Sequence, residues 1–186
     1  VLMEFSGAYN LGALQSLIDA LEAAWPHVQR AADLAVRRPD VMARPVARLL
    51  QARLFAYQGR WPEAARLAAE ISDTHHRARQ AGQADACLLP NEEVLLDAVR
   101  LAADDGPAHG WAEIEARSRV ASVEQQAIEI IELHALSALR RGLGAEGRDA
   151  LLRALALAAH MPNIMEPRLR KRLASLDRAA EGGALL

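Results

Sequence analysis

VEQQAIEIIELHALSALRRGLGAEGRDALLRALALAAHMP, residues 123–162, reads as one antiparallel helix pair. Ile128, Ile131, Ala135 and Ala138 fall on one helical face, flanked by Ile130, Leu133, Leu136 and Leu139. A helix apolar over so much of its circumference is predicted to be buried on two sides. Gly142 and Gly144 stop it, just after Arg140 and Arg141, whose charge favours the carbonyl end of a helix. The second helix, Ala145 to about Ala159, carries Ala150, Leu151, Ala154, Leu155 and Ala158, with Pro162 just beyond its end. Neither helix can bury its apolar face alone, so the pair needs neighbours before and after it. It is a stackable unit.

The rest of the chain is of the same kind. Its 186 residues suit one domain or one segment of a longer helical array, here residues 1–181 with a frayed tail at 182–186. Ala, Leu, Arg and Glu dominate, aromatics are only 4%, and no stretch alternates with the period of a strand. A net charge of −2 gives no electrostatic case for binding nucleic acid or a membrane. The lone cysteine, Cys87, allows no intramolecular disulfide and suits a reducing, cytoplasmic setting. No apolar run approaches the ~18 residues of a membrane span, and the first residues lack a secretory pattern. The chain opens on Val1 rather than Met, which suggests a piece cut from a longer protein; proteolytic trimming would leave the same start.

In chain order, Asn10 is placed to cap a helix from Leu11 to about Ala24, with Leu11, Leu14, Ile18 and Leu21 on its inner face. Trp25-Pro26 is read as opening a second helix, closed by Arg37-Arg38-Pro39, and Trp61-Pro62 repeats that opening. Between them a third helix spans about Ala43 to Tyr57, and Gly59 ends it. The fourth continues from Trp61 to about Arg79. Asn91 is expected to cap the fifth, which Asp104-Asp105-Gly106-Pro107 ends, and the sixth covers about His109 to Val120. Ser122 and Gln125 form a capping-box pattern before the central pair. Pro167 starts a last helix ending near Glu181, with Arg168, Arg170, Lys171 and Arg172 on its polar side.

Superposing the hairpins gives a recurring pattern: a small residue, a turn glycine, and another small residue five positions later. These are Ala52, Gly59 and Ala64 in one unit and Ala135, Gly142 and Gly147 in another. The small residues mark close helix approach, and the glycine reverses the chain. The pattern resembles the tetratricopeptide repeat, whose period is ~34 residues. That resemblance implies an all-α fold of eight or nine helices, in antiparallel hairpins stacked into a right-handed superhelix. The run from Ile128 to Ala158 further resembles the last repeats of the MalT-like large ATP-dependent LuxR-type transcriptional regulators. The likeness covers residues 40–165, is weaker over the N-terminal hairpin, and departs at Gly147, where alanine is usual. The chain holds neither the nucleotide-binding module nor the helix-turn-helix of those regulators. The resemblance therefore implies their superhelical sensor segment alone.

Motifs for chemistry are sparse. GLGAEG at 142–147 fits G-x-G-x-x-G, but the preceding stretch is helical by pattern where the dinucleotide fingerprint needs a strand, so it reads as an interhelical turn. His27, His75, His76, His109, His134 and His160 include no pair at ligating spacing, and Cys87 has no Cys-x-x-Cys partner. They are read as surface or packed residues, with no metal, cofactor or catalytic role. Trp25, Trp61 and Trp111 are expected to wedge adjacent hairpins.

In repeat arrays of this kind the first helices of the pairs line the concave face. On that register Arg53 and Tyr57, Leu96 and Arg100, and Glu129, Glu132, Leu136 and Arg140 face a groove able to hold a peptide, protein segment or small-molecule effector. The alternative is that these are solvated charges paired within their own helices. The expectation is a noncatalytic effector- or partner-binding domain, the sensor segment of a LuxR-type regulator. A TPR-like adaptor for protein assembly, with no gene-regulatory role, is the other reading.

Overall fold

The computed structural model describes residues 2–37, 43–104, 110–160 and 163–183. Over them the chain forms nine α-helices and no strand: α1 (Leu2–Leu17), α2 (Leu21–Val36), α3 (Ala43–Tyr57), α4 (Trp61–Gln80), α5 (Pro90–Ala103), α6 (Trp111–Ala121), α7 (Glu124–Arg140), α8 (Gly144–Ala158) and α9 (Glu166–Gly183). A 3-10 turn at Ala84–Ala86 bridges α4 and α5. Consecutive helices pair as α1/α2, α3/α4, α5/α6 and α7/α8, and α9 packs on α8. The expected closures at residues 38–39 and 105–107, His109, Pro162 and the last three residues of the expected tail lie outside the described residues.

Three of the hairpins turn on the same frame. Gly59 and Gly142 take left-handed φ values of 74° and 76°, and Asp19 takes 65° in the equivalent place. In each, the amide one residue on reaches back five positions: Ala20 to Gln15, Arg60 to Phe55 and Leu143 to Ala138, at 2.8–2.9 Å. This Schellman closure satisfies carbonyls that a helix end otherwise leaves open. Seven residues before the left-handed residue stand Gly12, Ala52 and Ala135, and five after it Ala24, Ala64 and Gly147. The small-residue pattern thus extends to α1/α2, with aspartate in the glycine slot. A Cβ on Gly12 would meet Val28 Cγ2 at 2.8 Å, and one on Gly147 would meet Leu139 at 2.6 Å. Glycine replaces alanine at these positions because the two helices approach too closely for a methyl group.

This frame corrects the expected N-terminal boundaries. Asn10 lies inside α1, and Trp25-Pro26 lies inside α2 rather than at its start. An exposed Asn in mid-helix costs only a few tenths of a kcal/mol, which the packing of Phe5, Tyr9 and Ala13 offsets. The two Trp-Pro pairs are therefore not equivalent. The inner face is also different: Leu11, Leu14 and Ile18 are exposed, and Ala8, Gly12 and Ser16 are buried. Nor does the Ser122 capping box form, because α7 starts one residue later, after an extended Val123; Ser122 Oγ and Gln125 Nε2 are buried without hydrogen-bond partners. α5 starts at Pro90, so Asn91 is no cap; its amide instead donates to Gln126 Oε1 of α7 at 3.0 Å.

The core forms around α7 as its composition requires. Ile130 and Leu133 belong to a core built from α3, α4, α5 and α6, whereas Ile128 and Ala135 belong to a second core with α8 and α9. Leu17, at the end of α1, packs against that second core, and Arg168 of α9 donates to the carbonyl of its neighbour Ser16. The first and last helices of the described chain therefore meet. Two of the three tryptophans wedge the units: Trp25 of α2 lies against Phe55 of α3 with centroids 5.0 Å apart, and Trp111 of α6 stacks on His134 of α7 at 4.7 Å.

Candidate functional site: a buried ionic network and two clefts

Glu129 and Glu132 stand one turn apart on α7 and so share a face. Both are buried, at 2% and 0% exposure. Glu129 Oε2 accepts from Arg53 and, at 2.8 Å, from the Tyr57 hydroxyl, both on α3. Glu132 accepts from Arg168 through one oxygen and from Arg172 Nε through the other, at 2.7 Å; both arginines are on α9. The Arg168 guanidinium lies 4.5 Å above the Tyr57 ring and also donates to the Ser16 carbonyl in the last turn of α1. One continuous polar network therefore ties α1, α3, α7 and α9.

Its electrostatics follow from burial. Loss of solvent alone would weaken the hold of Arg53 and Arg168 on their protons; the Glu129 and Glu132 carboxylates outweigh that and hold both arginines more firmly charged than usual. Burial, and secondarily Glu129, pushes the Tyr57 phenol well above its ordinary range, so Tyr57 is a hydrogen-bond donor at any physiological pH. Arg53 Nε and Arg168 Nε have no hydrogen-bond partner. Satisfaction inside the network is incomplete.

The six groove residues separate into three places. Arg53, Tyr57, Glu129 and Glu132 are brought together as the register implies, but they are neither solvated nor open: they neutralise one another and α9. Arg140 donates to the carbonyls of Ala102 and Asp104 at 3.1 and 2.9 Å, at the end of α5, and covers the Trp61 ring. Arg100 is exposed and lines a separate cleft of about 460 Å³ with Ala65, Asp97, Leu101 and Asp104. Leu96 is buried in the core and Leu136 is half-buried. Arg168, expected on the polar side of the last helix, is 2% exposed. Its partner lies thirty-six residues earlier on α7, a pairing that leaves no local trace in the sequence.

A second, wetter cluster joins α6, α7 and α8. His134 Nδ1 lies 2.7 Å from Glu115 Oε1 and Nε2 2.9 Å from Glu146 Oε1, and Arg153 binds the other Glu115 oxygen. Burial would raise the Glu115 carboxyl, but the hydrogen bonds from His134 and Arg153 hold it below its ordinary range. His75 receives the Leu88 amide on Nδ1 at 3.1 Å and faces Glu93 through Nε2 at 2.9 Å. Both histidines lie between helices, bonded to groups of their neighbours. Among the described residues no group of His, Cys, Asp and Glu is arranged to hold a metal ion, and no helix is long and apolar enough to cross a membrane.

A further cleft, of about 620 Å³, is lined by Leu21, Glu22, Trp25, Tyr57, Gln58 and Arg60. It adjoins the network through Tyr57, and Arg60 stacks over Phe55 at 4.4 Å. Sequence reasoning missed this site because Leu21 and Trp25 come from the first hairpin, whose register was misplaced. Comparison with family models, with curated proteins and with solved structures gave no match.

Proposed function

We propose that the chain is a noncatalytic helical-repeat domain that binds a partner or effector, and that it serves as the sensor segment of a MalT-like LuxR-type transcriptional regulator. The observation that carries the binding part is the network tying α1 and α9 through α3 and α7. A ligand that alters it changes how the two ends of the chain are held, and so acts on whatever is attached to either end. The cleft beside Tyr57 is the natural entry, because its lining offers an aromatic wall, an amide and a cation within reach of that network. Arg100, in its own cleft, remains a candidate anion contact through its planar fork. The regulator part rests on the repeat frame and on the resemblance of residues 128–158.

Peptide mapping of the intact cellular protein tests the regulator part. The expected result is an upstream P-loop module and a downstream helix-turn-helix in the same polypeptide. A polypeptide with neither contradicts it and leaves the adaptor reading in its place.

A further inference from the structure

Met3, Leu11 and Leu14 of α1 and Ile18 just beyond its end form one stripe, with Gly7 between the first two. All four side chains are exposed, Met3 at 89% and the others at about half, and a Cβ on Gly7 would meet nothing within 4 Å. Scattered exposed apolar residues need no explanation, but a continuous stripe at helical spacing does.

The shared turn frame identifies what this face is. Counting back from Asp19, Gly59 and Gly142, the positions of Met3, Gly7, Leu11 and Leu14 correspond to Ala43, Ala47, Gln51 and Leu54 on α3, and to Gln126, Ile130, His134 and Ser137 on α7. On α3, Ala43 and Ala47 share a core with Ala35, and Leu54 shares one with Ala24 and Val28, all from α2 of the preceding hairpin. On α7, Gln126 bonds Asn91 of α5, and His134 stacks on Trp111 of α6; these again belong to the preceding hairpin. Both later copies of this face are thus the surface on which the chain receives the hairpin before it. On α1 the same face is apolar and bare.

We infer that α1 is a stacking surface for one further helical hairpin of the same type, whose second helix presents small and aliphatic residues as α2 presents Ala24, Val28 and Ala35 to α3. Repeat arrays require a polar outer face on their terminal units, and α1 does not provide one. Gly7 takes the small-residue position that Ala47 fills on α3, which suits close approach of the incoming helix. The inference rests on the stacked-hairpin part of the proposed function and not on its regulatory part, so each can fail alone.

The test extends the full chain at its N-terminus with a second copy of residues 1–40, which keeps the spacing between Asp19 and Gly59. Hydrogen exchange of the α1 amides and thermal unfolding are then compared with the unextended protein. The expected result is one cooperative transition at a higher midpoint, with α1 exchange slowed at least about tenfold. Leu11→Asp together with Leu14→Asp in the original α1 should abolish the gain while leaving the unextended protein folded. If that double variant does not fold, Leu11→Asp alone serves. An added hairpin that melts separately, or leaves α1 exchange unchanged, overturns the inference. So does concentration-dependent dimerisation of the unextended chain that itself protects the stripe, since a second α1 would then be the occupant.

Discussion

α1 and α7 hold the same place in their hairpins, yet one is covered on two sides and the other on one. Both precede a left-handed turn residue, and both use a small residue, Gly12 or Ala135, where their partner helix crosses closely. They differ in what lies on the face turned toward the preceding hairpin. There α7 carries Ile130 and His134 against α5 and α6, whereas α1 carries Met3, Leu11 and Leu14 exposed. α7 also supplies both buried carboxylates of the network; α1 supplies only the Ser16 carbonyl. In a stacked array, stability comes from unit strength plus neighbour contacts, so the same helix is worth more in the middle than at an end.

The largest effect should come from the carboxylate that α7 buries most deeply. Glu132→Ala leaves Arg168 and Arg172 without their shared partner and should cost about 3–5 kcal/mol in chemical denaturation. A loss under about 1 kcal/mol would mean that water or a relaxed α9 satisfies the arginines instead. Next comes packing: Leu133→Ala in α7 should cost ~2–5 kcal/mol, and Leu11→Ala in α1 within ~0.5 kcal/mol of nothing. Equal midpoints for these two would erase the contrast between the helices. A third pair probes the turns. Gly142→Ala places a Cβ in the left-handed region and should cost about 1–2 kcal/mol. Asp19→Gly should change little, because relief of the same strain is offset by loss of the Lys171 and Arg172 pairs.

The turns also explain what the sequence made legible. Gly59 and Gly142 announce their hairpins, and α3, α4, α7 and α8 lie where their periodicity places them to within a residue or two. Asp19 occupies the glycine slot without the glycine signature, so the first turn was invisible and Asn10 and Trp25-Pro26 took its place as boundary markers. Glu129 and Glu132 were legible as facing the same side as Arg53 and Tyr57, because that follows from helical spacing within each hairpin. That α9 would fill the space they face was not legible. Arg168 sits among Arg170, Lys171 and Arg172, and a run of basic residues carries no mark of which one is buried; the geometry of α8 and α9 decides it. Arg44, Arg140 and Arg168 also share a role invisible locally: each donates to carbonyls at the end of an earlier helix, α2, α5 and α1 respectively.

A smaller effect distinguishes the wet cluster from the dry one. The Glu115 carboxyl is held below its ordinary range in the folded chain, so its contribution to stability is present in full above the ordinary carboxylate value and is lost as pH falls through the depressed one. Glu115→Gln should therefore flatten the acid limb of the stability profile by about 1 kcal/mol or less, discounted because Arg153 is partly open to solvent. An acid limb unchanged by that substitution would place its origin elsewhere.

Native-state hydrogen exchange along α1 and α7, measured in one sample, tests the central contrast most directly. The amides around Leu133 should exchange only through global unfolding, while those around Leu11 should exchange through a local opening several kcal/mol lower. Equal protection of the two helices in dilute monomeric protein would contradict it.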